Sequence, residues 1–532
     1  MLPVIPKFKS ISKLAWGLMA VMAVALVLRF WQITANQFLF YDEGMYLGYN
    51  RGFLNLVATN PPHNIGEFFI ILGLMFKAAL TTAKSLWFFI LNLRVFIVGP
   101  EAWYFAKVVS AIAGVATIAV IYLWAKRSFA STRIALLSAV FLSILPSHVF
   151  YSRLGMQEAL STFLFLLAIY LYTANRRMDW RLVVSGIVLS CVFFTNYRMI
   201  IAPLLIAFIE VFSSIALKQS INWKRLSLHA AIFYAMVFII GSLDGGVNRE
   251  VTFGWMFHQA QDATGKFDLL NFLSYPYYLF ALEGIVAGLF FWLNIILVVK
   301  KKWQRLLPFG IVLVQMGLFS FAGEKGARYL CVVLPFVAVA MAIAVDAYLF
   351  DARLPKDRVR NNVLIALGIA VMVLKSSAIA FSTTDYQNAM KFVLARDAQA
   401  IVVSTQPLVE ELYAYREGQV LPCPKDLASL VALYDKGARY LIIDPQVYIS
   451  WTADGQRFTP QLLPFLQVIV DKAVPLAEFD HLKGIYLDRF VLDHNERLSN
   501  SLAFLSGNRQ LVQGIKVYDL AGVLAGLNGG FK

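Results

Sequence analysis

The chain has 532 residues, 59% of them hydrophobic and only 15% charged, with a mean hydropathy of +0.66, which excludes an ordinary soluble globular protein. Its net charge of +15 does not point to nucleic acid, because Lys and Arg fall in short clusters between apolar runs, as they do in the cytoplasmic loops of polytopic membrane proteins. Cys191, Cys331 and Cys423 lie far apart, the first two in apolar segments, so the sequence carries no disulfide framework.

Lys7, Lys9 and Lys13 precede an apolar run from about Leu14 to Ile33, too long for a signal-peptide core and long enough to cross the hydrocarbon, which predicts a retained first span running from inside to outside. It delivers the stretch Phe40-Tyr41-Asp42-Glu43-Gly44-Met45-Tyr46 to the outer surface, where adjacent carboxylates among tyrosines and glycines suit a shaped site better than a solvated connector. From Gly66 to Gly99 the chain is apolar but interrupted by Lys77, Lys84 and Arg94, which predicts either a pair of interfacial helices or a short hairpin. Spans follow at about Trp103–Trp124, from Arg133 to Tyr151, and over Ala159–Ala174 down to Arg176, Arg177 and Arg181. A fifth climbs to Asn196-Tyr197-Arg198, a sixth falls to Lys218 and Lys224, and a seventh at about Leu228–Leu243 opens into a polar loop. An eighth ends at Lys300-Lys301-Lys302, a ninth rises through Leu306–Phe321, a tenth drops from Tyr329 to Arg353 and Lys356, and an eleventh at about Val363–Phe381 exits outside. The expected fold class is an α-helical polytopic membrane domain over 1–384, with about 11 to 13 spans, its N-terminus cytoplasmic by the positive-inside rule.

After Thr384 charges become frequent and short β-branched runs appear. Ile401-Val402-Val403 and Tyr440-Leu441-Ile442-Ile443-Asp444 read as buried strands flanking an amphipathic helix from Asp426 to Lys436, so 385–532 is expected to be an extracytoplasmic soluble α/β domain with a parallel layer. It lacks a glycine-rich nucleotide loop. From about Asn495 onward no element is assigned.

This topology gathers Arg29, Asp42, Glu43, His63, Glu67, Arg153, Glu158, Arg198, Glu324, Lys325 and Arg328 on the outer face. A charge inside the hydrocarbon costs about 2.5–3.5 kcal/mol, so several charges at its outer edge are expected to pair around a site. The carboxylates can accept a proton or hold a cation. Lys325 and Arg328, one turn apart if Gly326 continues the helix, can hold a phosphate between them. Each also has a plainer role: Arg29 can snorkel, Arg153 and Glu158 can form a structural ion pair, and Lys325 and Arg328 can anchor the interface. His63 and Glu67 are the weak candidates for a metal, and a divalent cation is left open with no cofactor required.

The order of motifs (Leu28-Arg29-Phe30, Tyr41-Asp42-Glu43-Gly44, Pro61-Pro62, Tyr151-Ser152-Arg153 with Glu158, and Lys325-Gly326-Ala327-Arg328-Tyr329 ending at Pro335) resembles the GT-C membrane glycosyltransferases. Within them it is most similar to the branch of dolichyl-phosphate-mannose protein mannosyltransferases and lipid A aminoarabinose transferases. That resemblance implies an inverting transferase of the cell envelope, in the plasma (inner) membrane, whose partners are a polyprenyl-phosphate sugar donor, membrane lipid and a hydroxyl acceptor. It implies Asp42 as catalytic base or acceptor-positioning acid with Glu43 beside it, and Lys325 and Arg328 on the donor phosphate. Arg153 and Glu158 would shape the site, and Arg29 and Tyr329 complete the substrate-binding set. Sugar and acceptor (protein, lipid or polysaccharide) stay open. The rival readings are a secondary transporter using the same charges as coupling groups and an anchored envelope protein whose tail binds a partner.

Overall fold

The computed structural model describes residues 13–35, 41–243, 246, 248–254, 273–321, 326–350, 355–381, 385–443, 462–479 and 515–528. Among them, five helices are long and apolar enough to cross a membrane, namely Phe105–Phe129, Tyr197–Ala216, Trp223–Ile240, Ala327–Leu349 and Val359–Ala380, and seven shorter apolar helices accompany them. The chain is a multi-pass membrane protein.

In chain order the helices are α1 Lys13–Phe30, α2 Tyr41–Gly48, α3 Arg51–Thr59, α4 Ile65–Leu80, α5 Ser85–Asn92, α6 Arg94–Ile97, α7 Phe105–Phe129, α8 Thr132–Ile144 and α9 Pro146–Tyr151. There follow α10 Glu158–Ala174, α11 Trp180–Thr195, α12 Ala202–Ala216, α13 Trp223–Ile240, α14 Ser274–Glu283, α15 Ile285–Trp292, α16 Asn294–Val299, α17 Leu307–Ser320, α18 Leu334–Val345 and α19 Pro355–Ala380. The apolar stretch left ambiguous between Gly66 and Gly99 is a helical hairpin, α4 turning at Thr81–Lys84 into α5 and α6. Local chemistry sets the boundaries. The Ser131, Asp179 and Asn222 side chains accept first-turn N–H groups of α8, α11 and α13. The span expected to run unbroken from Arg133 to Tyr151 divides at Leu145, which is extended because Pro146 follows it. The eighth divides at Gly284, whose φ of 96° lies in the region glycine tolerates.

At the centre lies α18, every residue of which is buried. It packs on α8, α15 and α17, and its alternating alanines let neighbouring backbones approach, as small residues do between membrane helices. Trp124 of α7 meets Phe336 edge-on at 5.3 Å, while α10 lies against both α7 and α11.

The tail adds α20 Tyr386–Arg396, α21 Pro407–Glu410, α22 Leu427–Asp435, α23 Leu462–Lys472 and α24 Leu520–Asn528 to a five-stranded sheet. Its strands are β1 Ile401–Ser404, β2 Val420–Pro422, β3 Ala438–Ile443, β4 Ala477–Phe479 and β5 Ile515–Asp519, in the order β2-β1-β3-β5-β4. β1 pairs in parallel with β2 and β3, as the strand–helix–strand pattern predicts, whereas β5 runs antiparallel to β3 and β4. Alternation along the strands splits the sheet between two cores. Val402, Ile442 and Val517 join the core that continues into the helical bundle, and Val403, Leu441 and Tyr518 face the tail's own helices. The tail is thus packed onto the membrane helices. Asp444 lies outside the described residues, as does the unassigned stretch 495–514; beyond it the chain supplies β5 and α24.

Candidate active site

Asp42 and Glu43 occupy the first turn of α2, where carboxylates favour the positive end of a helix. Successive helical residues point about 100° apart, so the two acids leave the helix in different directions. Asp42 is 3% exposed, and its Oδ2 accepts from Arg328 Nη1 at 2.8 Å. Glu43 is fully buried: the Gly155 N–H donates to its Oε1, and Lys107 Nζ stands 3.9 Å from the same oxygen. A Cβ on Gly155 would lie 2.9 Å from that oxygen and 2.7 Å from the Ala106 Cβ, so glycine is what allows the approach. Glu43 ties α2 to α7 and to the loop before α10, and Asp42 is the carboxylate presented to the cations.

Three cations and a second acid surround Asp42. Arg328 sits on a short 3₁₀ segment, Ala327–Val333. Gly326 is extended, with φ −135° and ψ 132°, so the helix does not continue back through it, and the condition on which a one-turn spacing of Lys325 and Arg328 was expected is not met. Lys325 and Glu324 lie outside the described residues. Lys84, in the turn between α4 and α5, hydrogen-bonds the Tyr46 hydroxyl, with Nζ 4.5 Å from the ring centroid. It interacts electrostatically with Asp42, Arg328, Glu158 and Arg198. Burial pulls Lys84 down to about 7; Asp42 opposes that shift and Arg328 adds to it. Arg198 stacks on the rings of Tyr197 and Tyr329, at 4.9 and 4.5 Å. Tyr329 is 6% exposed and, through its carbonyl, accepts from Gln315 Nε2. Glu158 begins α10; its Oε1 accepts from Gln157 Nε2 at 3.1 Å, and its buried Oε2 has no hydrogen-bond partner among the described residues.

Arg29 and Arg153 brace the neighbouring elements. Arg29 donates to the carbonyls of Ser143 at 3.0 Å and Leu142 at 3.3 Å, and to His148 Nδ1 at 2.7 Å. Since arginine can only donate, His148 carries its proton on Nε2. Arg153 donates to the carbonyls of Leu28 and Trp31 at 3.0 and 2.9 Å, closing the C-terminal end of α1 with a positive charge, and burial lowers it to about 10. The two weak metal candidates form a helix cap: Glu67 accepts from the His63 N–H and from Asn64 Nδ2, each at 2.8 Å, while Asn64 Oδ1 accepts from the Glu67 N–H. Among the described residues no three His, Cys, Asp or Glu side chains gather as metal ligands.

Lys84 and Arg198 are the cations that sequence reasoning left without a role. The signal for Lys84 was its place inside an apolar run, where an ionisable side chain is expensive. The assembled site offers one acceptor-only oxygen pair at Asp42 within a field of positive charge, which suits an anionic group and a proton acceptor side by side.

The family model for dolichyl-phosphate-mannose-protein mannosyltransferase matches residues 84–241, a segment that holds Lys84, Arg153, Glu158 and Arg198 but neither Asp42 nor Arg328. No curated protein sequence matches the chain. Among solved structures, ArnT from Cupriavidus metallidurans bound to undecaprenyl phosphate superposes with a TM-score of 0.56 at 14% identity, covering 82% of this chain and 94% of that one. The archaeal oligosaccharyltransferase AglB from Archaeoglobus fulgidus, in complex with an inhibitory peptide and a dolichol-phosphate, superposes with a TM-score of 0.58 at 12% identity, covering 95% and 88%. These likenesses show the fold, and the resemblance to GT-C membrane glycosyltransferases holds.

Proposed function

We propose that the protein transfers a sugar from a polyprenyl-phosphate donor to an acceptor hydroxyl, at the end of the bundle where Asp42 lies and on the outer side of the membrane. The observation that carries this reading is the 2.8 Å Asp42–Arg328 ion pair, set among Lys84, Arg198 and Glu158 on a fold shared with proteins solved with undecaprenyl phosphate and dolichol-phosphate.

In the reaction the acceptor oxygen forms a bond to the anomeric carbon while the bond from that carbon to the phosphate oxygen breaks. The hydroxyl proton passes to Asp42, and the electron pair leaves on the phosphate. A single displacement inverts the anomeric carbon. Arg328 and Lys84 meet the charge that develops on the phosphate. Arg328 is also the group that holds Asp42. A donor phosphate that draws this guanidinium toward itself frees an Asp42 oxygen for the acceptor hydroxyl, so the carboxylate becomes available when the donor is bound. The polyprenyl tail confines the donor to the bilayer surface and shortens its search for the site. We assign no cofactor.

The test is Asp42→Asn, which keeps size and most hydrogen bonds but removes the proton acceptor. With purified protein, a panel of undecaprenyl-phosphate sugars and membrane extract as acceptor, turnover should fall by about 10²- to 10⁴-fold while donor retention is kept. A larger loss in Glu43→Gln than in Asp42→Asn would transfer the role to Glu43, and recovery of activity with added divalent ion would make the carboxylate a metal ligand. Wild-type turnover in both variants would overturn the mechanism.

A further inference from the structure

At the opposite ends of the same helices lies a second polar assembly that the transfer reaction does not use. Glu158 opens α10, and Tyr172 lies near its other end; the helix is 17 residues long, about 25 Å at 1.5 Å per residue. There a cavity of about 280 Å³ opens between α7, α10, α12, α13 and α17. Within its lining Glu210 accepts from Arg176 Nη2 at 3.0 Å, Arg225 Nη1 at 2.8 Å, the Tyr172 hydroxyl at 3.0 Å and the Asn222 N–H at 3.3 Å. Four donors use up the acceptor capacity of one carboxylate. Two guanidiniums therefore share a single negative charge, and one positive charge is left over among the described lining groups.

That excess sits where it is costly. Arg225 is 3% exposed, and its Nε has no hydrogen-bond partner among the described residues. A buried cation in this position is stabilised by an anion that completes the pairing. Arg176 is 39% exposed at its side chain and opens the assembly to the membrane rim. The remaining lining is two-sided, with Ser213 and Gln304 on the polar part and Phe212, Leu217 and Leu307 supplying apolar wall. A freely soluble anion has no use for the apolar wall, whereas a headgroup attached to acyl chains uses both. The rim is also basic, with Arg177 and Lys218 in the connecting loops and Arg181 and Lys224 in the first turns of α11 and α13.

The geometry points to this cavity as a binding site for the phosphate headgroup of an anionic membrane lipid, in the leaflet opposite the candidate active site. Arg176 and Arg225 hold the phosphate, and Phe212 and Leu217 meet the start of the acyl chains. The assignment is independent of the transferase reading.

Purified protein, stripped of lipid in detergent and then offered phosphatidylglycerol or phosphatidylcholine in mixed micelles, can be assayed by native mass spectrometry for retained lipid. Wild type should retain phosphatidylglycerol in preference to phosphatidylcholine. Arg176→Gln, which removes the open cation, and Ser213→Trp, which fills the cavity and leaves every ion pair in place, should each reduce that retention by about tenfold or more. Arg328→Gln, at the other end of the molecule, should keep it. Thermal unfolding identifies a variant that has lost its fold, and Ser213→Trp decides the matter if Arg176→Gln does so. Undiminished retention in Ser213→Trp overturns the site. Inorganic phosphate alone protecting the wild type against unfolding as well as phosphatidylglycerol does would reassign it to a soluble anion and overturn the lipid.

Discussion

Lys84 is half-buried between two carboxylates, Asp42 and Glu158, and two cations, Arg328 and Arg198, and its titration makes the candidate site sensitive to pH. Burial sets it at about 7, so it is charged below that value and neutral above it. A phosphodiester donor carries the same single charge across this range, so a change in affinity there reports the protein. Donor affinity should be highest below the folded value and fall as the pH rises from about 6 to about 8, by up to about tenfold per unit once Lys84 deprotonates. Equilibrium binding across that window checks it, with Lys84→Gln expected to bind weakly and without the slope; a flat wild-type profile would remove Lys84 from the phosphate site. Much of this cluster was legible in the sequence for one reason: ionisable groups at the ends of apolar spans are expensive, and Asp42, Glu158 and Arg328 stand out on that ground. What the sequence could not show was direction. Asp42 and Glu43 read as a single pair, yet a helical turn sends one to Arg328 and the other to Gly155 and Lys107. Arg29 and Arg153 read as parts of the site, and long-range packing sets the backbone carbonyls of α8 and α1 that their N–H groups meet.

The helix that carries Asp42 is held by the tail. At Gly44 a Cβ would lie 2.1 Å from the Leu408 carbonyl oxygen and 2.9 Å from the Val409 nitrogen, so α2 rests directly on the backbone of α21. Arg51, at the start of α3, donates to the Glu411 carbonyl at 3.1 Å and pairs with Glu101 at 2.7 Å, and Trp103 meets Tyr413 edge-on at 5.9 Å. Gly44→Ala isolates this contact, because alanine is the better helix former by about 1 kcal/mol and any loss must come from the crowding. The obstructing atoms are backbone and cannot rotate away. The variant should lose about 1–3 kcal/mol of stability, the usual cost of overpacking, and with it turnover, as Asp42 moves relative to Arg328. Thermal unfolding and the transfer assay check this, and a variant with wild-type melting and turnover would show that the docking is loose. At this scale apolar length and basic flanks point to the apolar helices, and short β-branched runs around an amphipathic helix point to β1, α22 and β3. The breaks at Pro146 and Gly284 are local chemistry that apolar length alone passes over, whereas the seating of α21 on α2 depends on long-range packing, which periodicity does not encode.

The whole molecule has two unlike ends. One gathers Asp42, Glu158, Lys84, Arg198 and Arg328, and the other carries Lys126, Arg127, Arg176, Arg177, Lys218, Lys224, Arg225 and Lys300-Lys301-Lys302. Alternating helices produce this separation, since α10 begins at Glu158 and ends just before Arg176, and α11 returns the chain to Arg198. From the positive-inside rule we propose that the lysine- and arginine-rich loops stay in the cytoplasm and that the Asp42 end and the tail docked on it face outward. Cysteine accessibility tests the assignment in a background without Cys191, Cys331 and Cys423. Tyr415 is 71% exposed in the tail, on the segment that follows α21, and Lys302 is exposed on the basic rim. A membrane-impermeant maleimide should label Tyr415→Cys in intact cells and reach Lys302→Cys only after permeabilisation. The opposite pattern would put the sugar transfer in the cytoplasm and the lipid site in the outer leaflet, while leaving the Asp42–Arg328 pair untouched, because that pair depends on packing and not on which way the bundle is inserted. Labelling of both positions in intact cells would be more damaging. It would place the two ends on one side of the membrane and break the alternation that separates the candidate active site from the basic rim.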